Sequence, residues 1–372
     1  MTTFNYQELL AWIRIQAKNL GFSDLRVTDL DVSQAIPHLN EWLQKGHHGE
    51  MNYMIDHAHL RADPQKILPQ AFRIISVRMD YLPQTQVTQS QDWRDLEWDK
   101  IHHPEHATIS VYARGRDYHK VLRTRLQQLA KQIEEKIAPF EHRVAVDTVP
   151  LLEVEFARKS GIGWRGKHTL ALNREAGSMF FLGEILVDIP LPVDEPITDH
   201  CGSCQACIAI CPTQAITAPY TLDARKCISY LTIEHQTAIP LEMRQAIGNR
   251  IYGCDDCQLI CPWNKFAQPT QIGDFSERHA LGSLDLTEIF AWSERDFMHK
   301  MQGSAIYRIG YSQWMRNVAV GLGNLLRQAE VSPDLQARVV SLLRLKLGQI
   351  SPLVDEHIYW ALDVLPETLN EV

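Results

Sequence analysis

The sequence predicts an α+β protein in three parts: a mixed α/β core over residues 1–195, a cysteine-rich segment over 196–270 and an all-helical segment over 271–372. Three observations carry this. Strand and helix patterns are interspersed before residue 195. All eight cysteines fall between Cys201 and Cys261. Beyond them, three amphipathic helical patterns follow one another, split by Gly, Ser and Pro.

At 372 residues the chain is long enough for two or three cores. Its formal net charge of −8 excludes a polycation, so any nucleic-acid contact needs a local basic patch.

The N-terminal stretch "MTTFNYQELLAWIRIQAKNL" reads as an amphipathic helix with Leu9, Leu10, Ile13 and Ala17 on one side. It lacks the basic, then apolar, order of a signal peptide and any twin arginine. No run of about 18 apolar residues occurs, so no membrane-spanning helix is expected and the cytoplasm is the predicted location. "FRIISVRMDYL", "HTLALN" and "MFFLGEILVDI" read as strands. Residues 117–137 read as one long helix with Val121, Leu122, Leu126, Leu129 and Ile133 inward. "PLPVDEP" is a proline-punctuated linker into the cysteines.

"CGSCQACIAICP" (Cys201–Pro212) has the spacing C-x2-C-x2-C-x3-C-P, and "CDDCQLICP" (Cys254–Pro262) repeats it with one cysteine missing. Clustered cysteines without a framework spread over the chain point to metal rather than disulfides. In bacterial ferredoxins such a run gives three thiolates to one [4Fe-4S] cluster, and its fourth cysteine reaches the other. Cys201, Cys204 and Cys207 therefore define the first set, closed by Cys261. Cys211, Cys254 and Cys257 define the second, closed by Cys227, and none is left over. Paired zinc knuckles are the rival reading, but both Cys-Pro steps and the double spacing match the ferredoxin pattern.

The patterns at 311–329, 332–348 and 355–365 resemble helical-hairpin repeats of the HEAT kind. They form either a cap on the core or a surface for a large partner. Arg295, Lys300, Arg308, Arg316 and Arg327 give the segment basic character.

"GIGWRGKH" (Gly161–His168) matches G-x-G-x-x-G and most of a P-loop, but the order is reversed: a helical pattern precedes it and a strand follows. Gly161 is instead expected to end the helix, leaving a glycine-rich turn with Arg165 and Lys167 that a large flat or anionic ligand can approach. "HHPEH" reads as a loop rather than a metal site. "RGRDYHKVLRTR" (Arg114–Arg125) is either a solvated helix face or a phosphate contact. Asp147 in "AVDTVPLLEVEFA" has two readings. It, or Thr148, caps the following helix. Alternatively it is a general acid in a partly apolar pocket, where desolvation raises its pKa and keeps a proton available.

The ordered set "YARGRDYH", "VDTVPLLEVEFARKSGIGWRGKHTLALN", "FLGEI", "HCGSCQACIAICPTQAI", "CISYLT", "IGNRIYGCDDCQLICPWNK" and "WMRNVAVGLGN" resembles the epoxyqueuosine reductases, from about Arg61 to Asn324. The resemblance implies reduction of the epoxide of epoxyqueuosine, at the wobble position of a tRNA anticodon, to the alkene of queuosine. It implies cobalamin and two [4Fe-4S] clusters, and an external donor of the flavodoxin or ferredoxin type. It divides the chain into a cobalamin-binding α/β core, a ferredoxin-like two-cluster domain and a HEAT-like domain that helps hold the tRNA. It makes Asp147 the proton donor, and places cobalamin contacts at Arg61, Asp147, Lys167, Asn173, Ser229 and Gly253. The motif D-x-H-x-x-G starts at Asp117 and His119 but has Leu122 in place of glycine, so a base-off cobalamin is expected. With no evident oligomerisation signal, a monomer is expected. The rival functions are a reductive dehalogenase-like cobalamin oxidoreductase, a ferredoxin-type electron carrier and a non-catalytic tRNA-binding module.

Overall fold

The computed structural model describes residues 5–84 and 92–364. Met1–Phe4 of the N-terminal pattern and Leu365 of the last helical pattern lie outside the described residues.

A four-stranded sheet anchors the first part. Its strands are β1 (Asp24–Thr28), β2 (Arg73–Asp80), β3 (His142–Ala145) and β4 (Phe180–Val187), in the order β1-β2-β4-β3. Every pairing is antiparallel. The α/β core predicted from the sequence is thus mixed in content, with an antiparallel sheet. β2 and β4 are central and buried along nearly their whole length; β4 accordingly reads as a near-continuous apolar run, while β2 also buries Ser76, Arg78 and Asp80.

One face carries Ile75, Val77, Met79, Phe181 and Ile185. It packs on helix α1 (Tyr6–Asn19), through Leu9, Leu10, Ile13 and Ala17, and on α2 (Tyr118–Ile137), through Leu122, Leu126, Leu129 and Ile133. Asp117 caps α2 by accepting the His119 amide. The other face carries Ile74 and Leu186, joined by Phe156 of α3 (Glu153–Ser160). Leu126 is fully buried, so truncating it to Ala costs about 2–5 kcal/mol.

Gly161 ends α3 in the left-handed conformation, φ +82°. A Cβ there would sit 2.3 Å from the Glu195 carbonyl oxygen, so glycine is required twice over. The expected "HTLALN" strand shrinks to Ala171–Leu172, paired with Trp164–Arg165. The glycine-rich turn occupies the residues between them.

The C-terminal helices α4 (Gly310–Leu326), α5 (Pro333–Lys346) and α6 (Pro352–Leu362) share one core with Ile109, Ile251 and Tyr252. Helix α4 is buried on almost every side. Its polar residues therefore need partners, and they find them on the cysteine segment. Arg316 donates to the carbonyls of Leu231, His235 and Thr237. Asn317 donates to those of Thr232 and Ile251, and Asn324 to those of Arg244 and Gly248.

This corrects the expected basic surface. Arg316 is fully buried, and Arg327 lies 4.0 Å over the Trp360 ring while donating to the Trp360 carbonyl. Arg308 pairs with Glu234. No helix is long and apolar enough to cross a membrane among the described residues.

Candidate active site

Eight free thiols gather around two neighbouring cavities. Cys201, Cys204, Cys207 and Cys261 line a small one of about 30 Å³. Cys211, Cys227, Cys254 and Cys257 line a larger one of about 390 Å³. These are the two sets of four that the spacing groups together. His168 borders both cavities. Short helices, Ala206–Ile210 and Asp256–Leu259, follow the first cysteines of each run and pack together.

The thiol chemistry fits a cationic cluster. Burial pushes the Cys254 and Cys257 thiols well up and the Cys261 thiol up to about 11. Without cations these thiolates are costly to form; bound iron removes that cost. Trp164 directs its indole N–H at the Cys201 sulfur, 3.5 Å away.

The larger cavity also holds two acids, Asp147 and Glu153, and an apolar wall of Tyr112, Phe180, Phe181 and Leu182. Tyr118 stacks on Phe181 with centroids 4.3 Å apart and planes 5° from parallel. That fixes its hydroxyl 2.5 Å from Asp147 Oδ2. The same oxygen lies 3.1 Å from His119 Nε2, and His119 Nδ1 lies 2.8 Å from Asp117 Oδ1.

Asp147 itself sits at φ +50°, a conformation that Asp tolerates better than most residues. Its amide donates to Glu153 Oε1 at 2.5 Å. The helix-cap reading of Asp147 fails: the residue before α3 is Leu152, and no side chain caps that end. Asp147 is 56 % exposed and lines the larger cavity.

The protonation pattern corrects the expected one. Burial favours the neutral form of Asp147, yet hydrogen bonds from His119 and Tyr118 outweigh it and hold the carboxyl below the usual range. Burial works against the His119 cation, but Asp117 and Asp147 outweigh it and raise the imidazole to about 9. Both ring nitrogens face carboxylates, so both donate and the ring is an imidazolium. Burial and the neighbouring Asp147 charge push Glu153 up to about 8. The proton at neutral pH therefore resides on His119 and Glu153 rather than on Asp147.

The remaining predicted positions divide. Ser229 lines the larger cavity. Gly253 adjoins it through Cys254, at φ +69°, where a Cβ would sit 2.6 Å from Ser110 Cβ. Buried Arg61 donates to the Tyr53 carbonyl, and its charge is felt at Asp147 and Glu153. Lys167 borders the small cavity and donates to the carbonyls of Gly202 and Cys204, clamping the first cysteine loop. Asn173 bonds Ile162 and Glu175, closing the turn after the short strand.

His102, His103 and His106 form no ligand set: His102 stacks on Trp98, and His106 pairs with Asp285. The sequence does not single out Tyr118, Glu153 or Glu184, and it marks His119 only through the incomplete D-x-H-x-x-G motif. A lone glutamate inside the apolar run "FFLGEILV" was the available signal for Glu184.

Two sets of four thiols beside a cavity with poised acid groups define an iron–sulfur oxidoreductase. Comparison with known proteins narrows this. The family model "Epoxyqueuosine reductase QueG, DUF1730" matches residues 61–148, and "4Fe-4S double cluster binding domain" matches residues 200–264. The epoxyqueuosine reductase of Alicycliphilus denitrificans is 53% identical over 95% of this chain and 98% of its own length. A crystal structure of epoxyqueuosine reductase with an epoxyqueuosine-modified tRNA-Tyr stem loop superposes with a TM-score of 0.83, at 28% identity over 96% of this chain and 90% of that one. The Bacillus subtilis enzyme, solved with its catalytic aspartate loop swung out of the active site, gives 0.78, at 25% identity over 97% of this chain and 100% of that one. The chain belongs to the epoxyqueuosine reductase family.

Proposed function

We propose that the protein reduces the epoxide of epoxyqueuosine in tRNA to the alkene of queuosine, in the cytoplasm and as a monomer. The supporting observation is that Asp147 and one full set of four thiols line the same cavity. Cys201, Cys204, Cys207 and Cys261 would hold one [4Fe-4S] cluster, and Cys211, Cys227, Cys254 and Cys257 the other. The apolar wall and the glycine-only backbone at Gly253 suit a flat macrocycle. Asp147, Ser229 and Gly253 would meet a base-off cobalamin there, with Arg61, Lys167 and Asn173 shaping the surrounding segments. When bound, cobalamin supplies the reducing centre and the clusters supply its electrons from an external flavodoxin- or ferredoxin-type donor.

The chain's own residues manage protons and position. Epoxide reduction consumes two electrons and two protons and releases one water. The proton starts on the His119 imidazolium; across their 3.1 Å contact it would pass to Asp147 Oδ2 and from there to the departing oxygen. Tyr118 fixes the carboxylate. His119 is engaged at both nitrogens, which suits a cobalt without a histidine ligand. Residues 1–195 serve as the cobalamin-binding core, 196–270 as the ferredoxin-like pair of clusters, and 271–372 as a HEAT-like domain for tRNA.

Reconstitution with iron, sulfide and cobalamin, followed by electron paramagnetic resonance, tests this. The expected result is a cob(II)alamin signal without nitrogen splitting beside reduced-cluster signals, and conversion of epoxyqueuosine tRNA to queuosine tRNA. Clusters without bound cobalamin would instead favour an electron carrier.

A further inference from the structure

The larger cavity has a second acid that the scheme above leaves unused. Glu153 lines the cavity beside Asp147 and accepts the Asp147 amide. Behind it lies Glu184, in the middle of β4, between Ser76 of β2 and Ala145 of β3. Glu184 is fully buried, and among the described residues no amide, hydroxyl or cationic donor reaches its oxygens; the group it can share a proton with is the Glu153 carboxyl. A carboxylate in that position would bear a full desolvation penalty with nothing to offset it, so Glu184 is a neutral acid. Its ionisable neighbours are the carboxyls of Glu153 and Asp147, and two adjoining buried carboxyls cannot both be charged.

We propose that Glu153, backed by Glu184, stores the second proton that the reduction consumes. The proposal rests on the epoxide-reductase reading of this site. The balance closes with it. Two C–O bonds break, the C=C bond forms, and the two electrons arrive from the external donor. The oxygen takes one proton through Asp147 and one from Glu153 and leaves as water. Glu184 stays neutral throughout, and the Glu153 carboxylate left beside Asp147 regains its proton between turnovers.

The groups facing Glu153 are Asp147, on the loop before it; Tyr118 and His119, at the start of α2; Arg61; and Glu184, from the sheet. The Asp147 charge and burial favour the neutral form of Glu153, while His119 and Arg61 oppose it. The balance lies on the protonated side up to about pH 8.

Infrared spectra of the reconstituted protein across pH test this directly. The expected result is a protonated-carboxyl band that shifts in heavy water, fades near pH 8, and is lost or altered in Glu153→Gln and Glu184→Gln. Single-turnover measurements supply the second arm. Glu153→Gln is expected to slow queuosine formation about 10²-fold and to lose the alkaline limb of the pH profile, while retaining cobalamin and both clusters. Glu153→Asp should recover part of the rate. A wild-type protein with no such band at neutral pH, or a Glu153→Gln variant with the wild-type rate and pH profile, would overturn the proposal. If wild-type protein binds both cofactors yet does not convert the tRNA, the substrate reading fails and this proton step fails with it. The infrared band is read separately, so the two failures are distinguishable.

Discussion

His119 Nε2 lies 3.1 Å from Asp147 Oδ2, although 27 residues separate them in the chain. The contact makes an ion pair on the wall of the larger cavity: the imidazole gains a proton because the carboxylate is there, and the carboxylate stays charged because the imidazole is. The proposed proton donor is thus a pair, and its two members should fail in different ways.

Asp147→Asn is expected to abolish turnover while leaving iron content and bound cobalamin unchanged. His119→Gln should reduce turnover less, because Tyr118 still positions the carboxylate, and it should move the pH optimum. Parallel turnover, iron and cobalamin assays check both. Full activity in Asp147→Asn would remove that residue from the mechanism.

Stability should fall as pH rises. Glu153 titrates near pH 8 in the fold against a usual value of 4.5. Between those values the folded chain holds a proton that the unfolded chain has lost, so the fold weakens through that window. His119, raised from 6.5 to about 9, acts in the same direction: its contribution is complete below 6.5 and gone above about 9. Thermal melts of wild type and Glu153→Gln between about pH 5 and about pH 9 should converge at the acid end and favour the variant at the alkaline end.

Cys227 lies alone in sequence, between the two runs, yet it lines the cavity with Cys211, Cys254 and Cys257. Cys227→Ser should therefore compromise one cluster and leave the other. Iron analysis is expected to fall from about eight atoms per chain towards about four. Retention of the full complement would exclude Cys227 as an obligatory ligand.

Gly253→Ala combines a left-handed backbone with a collision against Ser110. A loss of about 1–3 kcal/mol from the backbone alone is expected, together with weakened cobalamin binding. Denaturant unfolding and cobalamin titration measure the two effects separately.

With Arg316 and Arg327 turned inward, fewer of the C-terminal cations are free for phosphate, and helix α2 offers others. Lys120 and Arg123 are exposed on α2, and Arg123 donates to the Thr148 hydroxyl, one residue from Asp147. Lys120→Ala and Arg123→Ala should each weaken tRNA binding and flatten its salt dependence by about one unit of log–log slope. Binding measured across a salt series decides this.

Much of this protein was legible before folding was considered. Eight cysteines at ferredoxin spacing define two sets of four because a cluster's ligands lie in short runs with near-fixed intervals. The long helix at 118–137 and the strands at 73–80 and 180–187 follow from local periodicity. Gly161 announced a helix end because only its backbone fits there. Tertiary structure decided what depends on neighbours distant in sequence. It turned Arg316 from an apparent surface cation into a buried tie between helix α4 and the cysteine segment. It also reversed the expected charge state of Asp147: burial alone would have kept the proton, but Tyr118 and His119 arrive from another helix and stabilise the carboxylate. Spacing is written along the chain, whereas the energy of a charge is set by whatever the fold places around it.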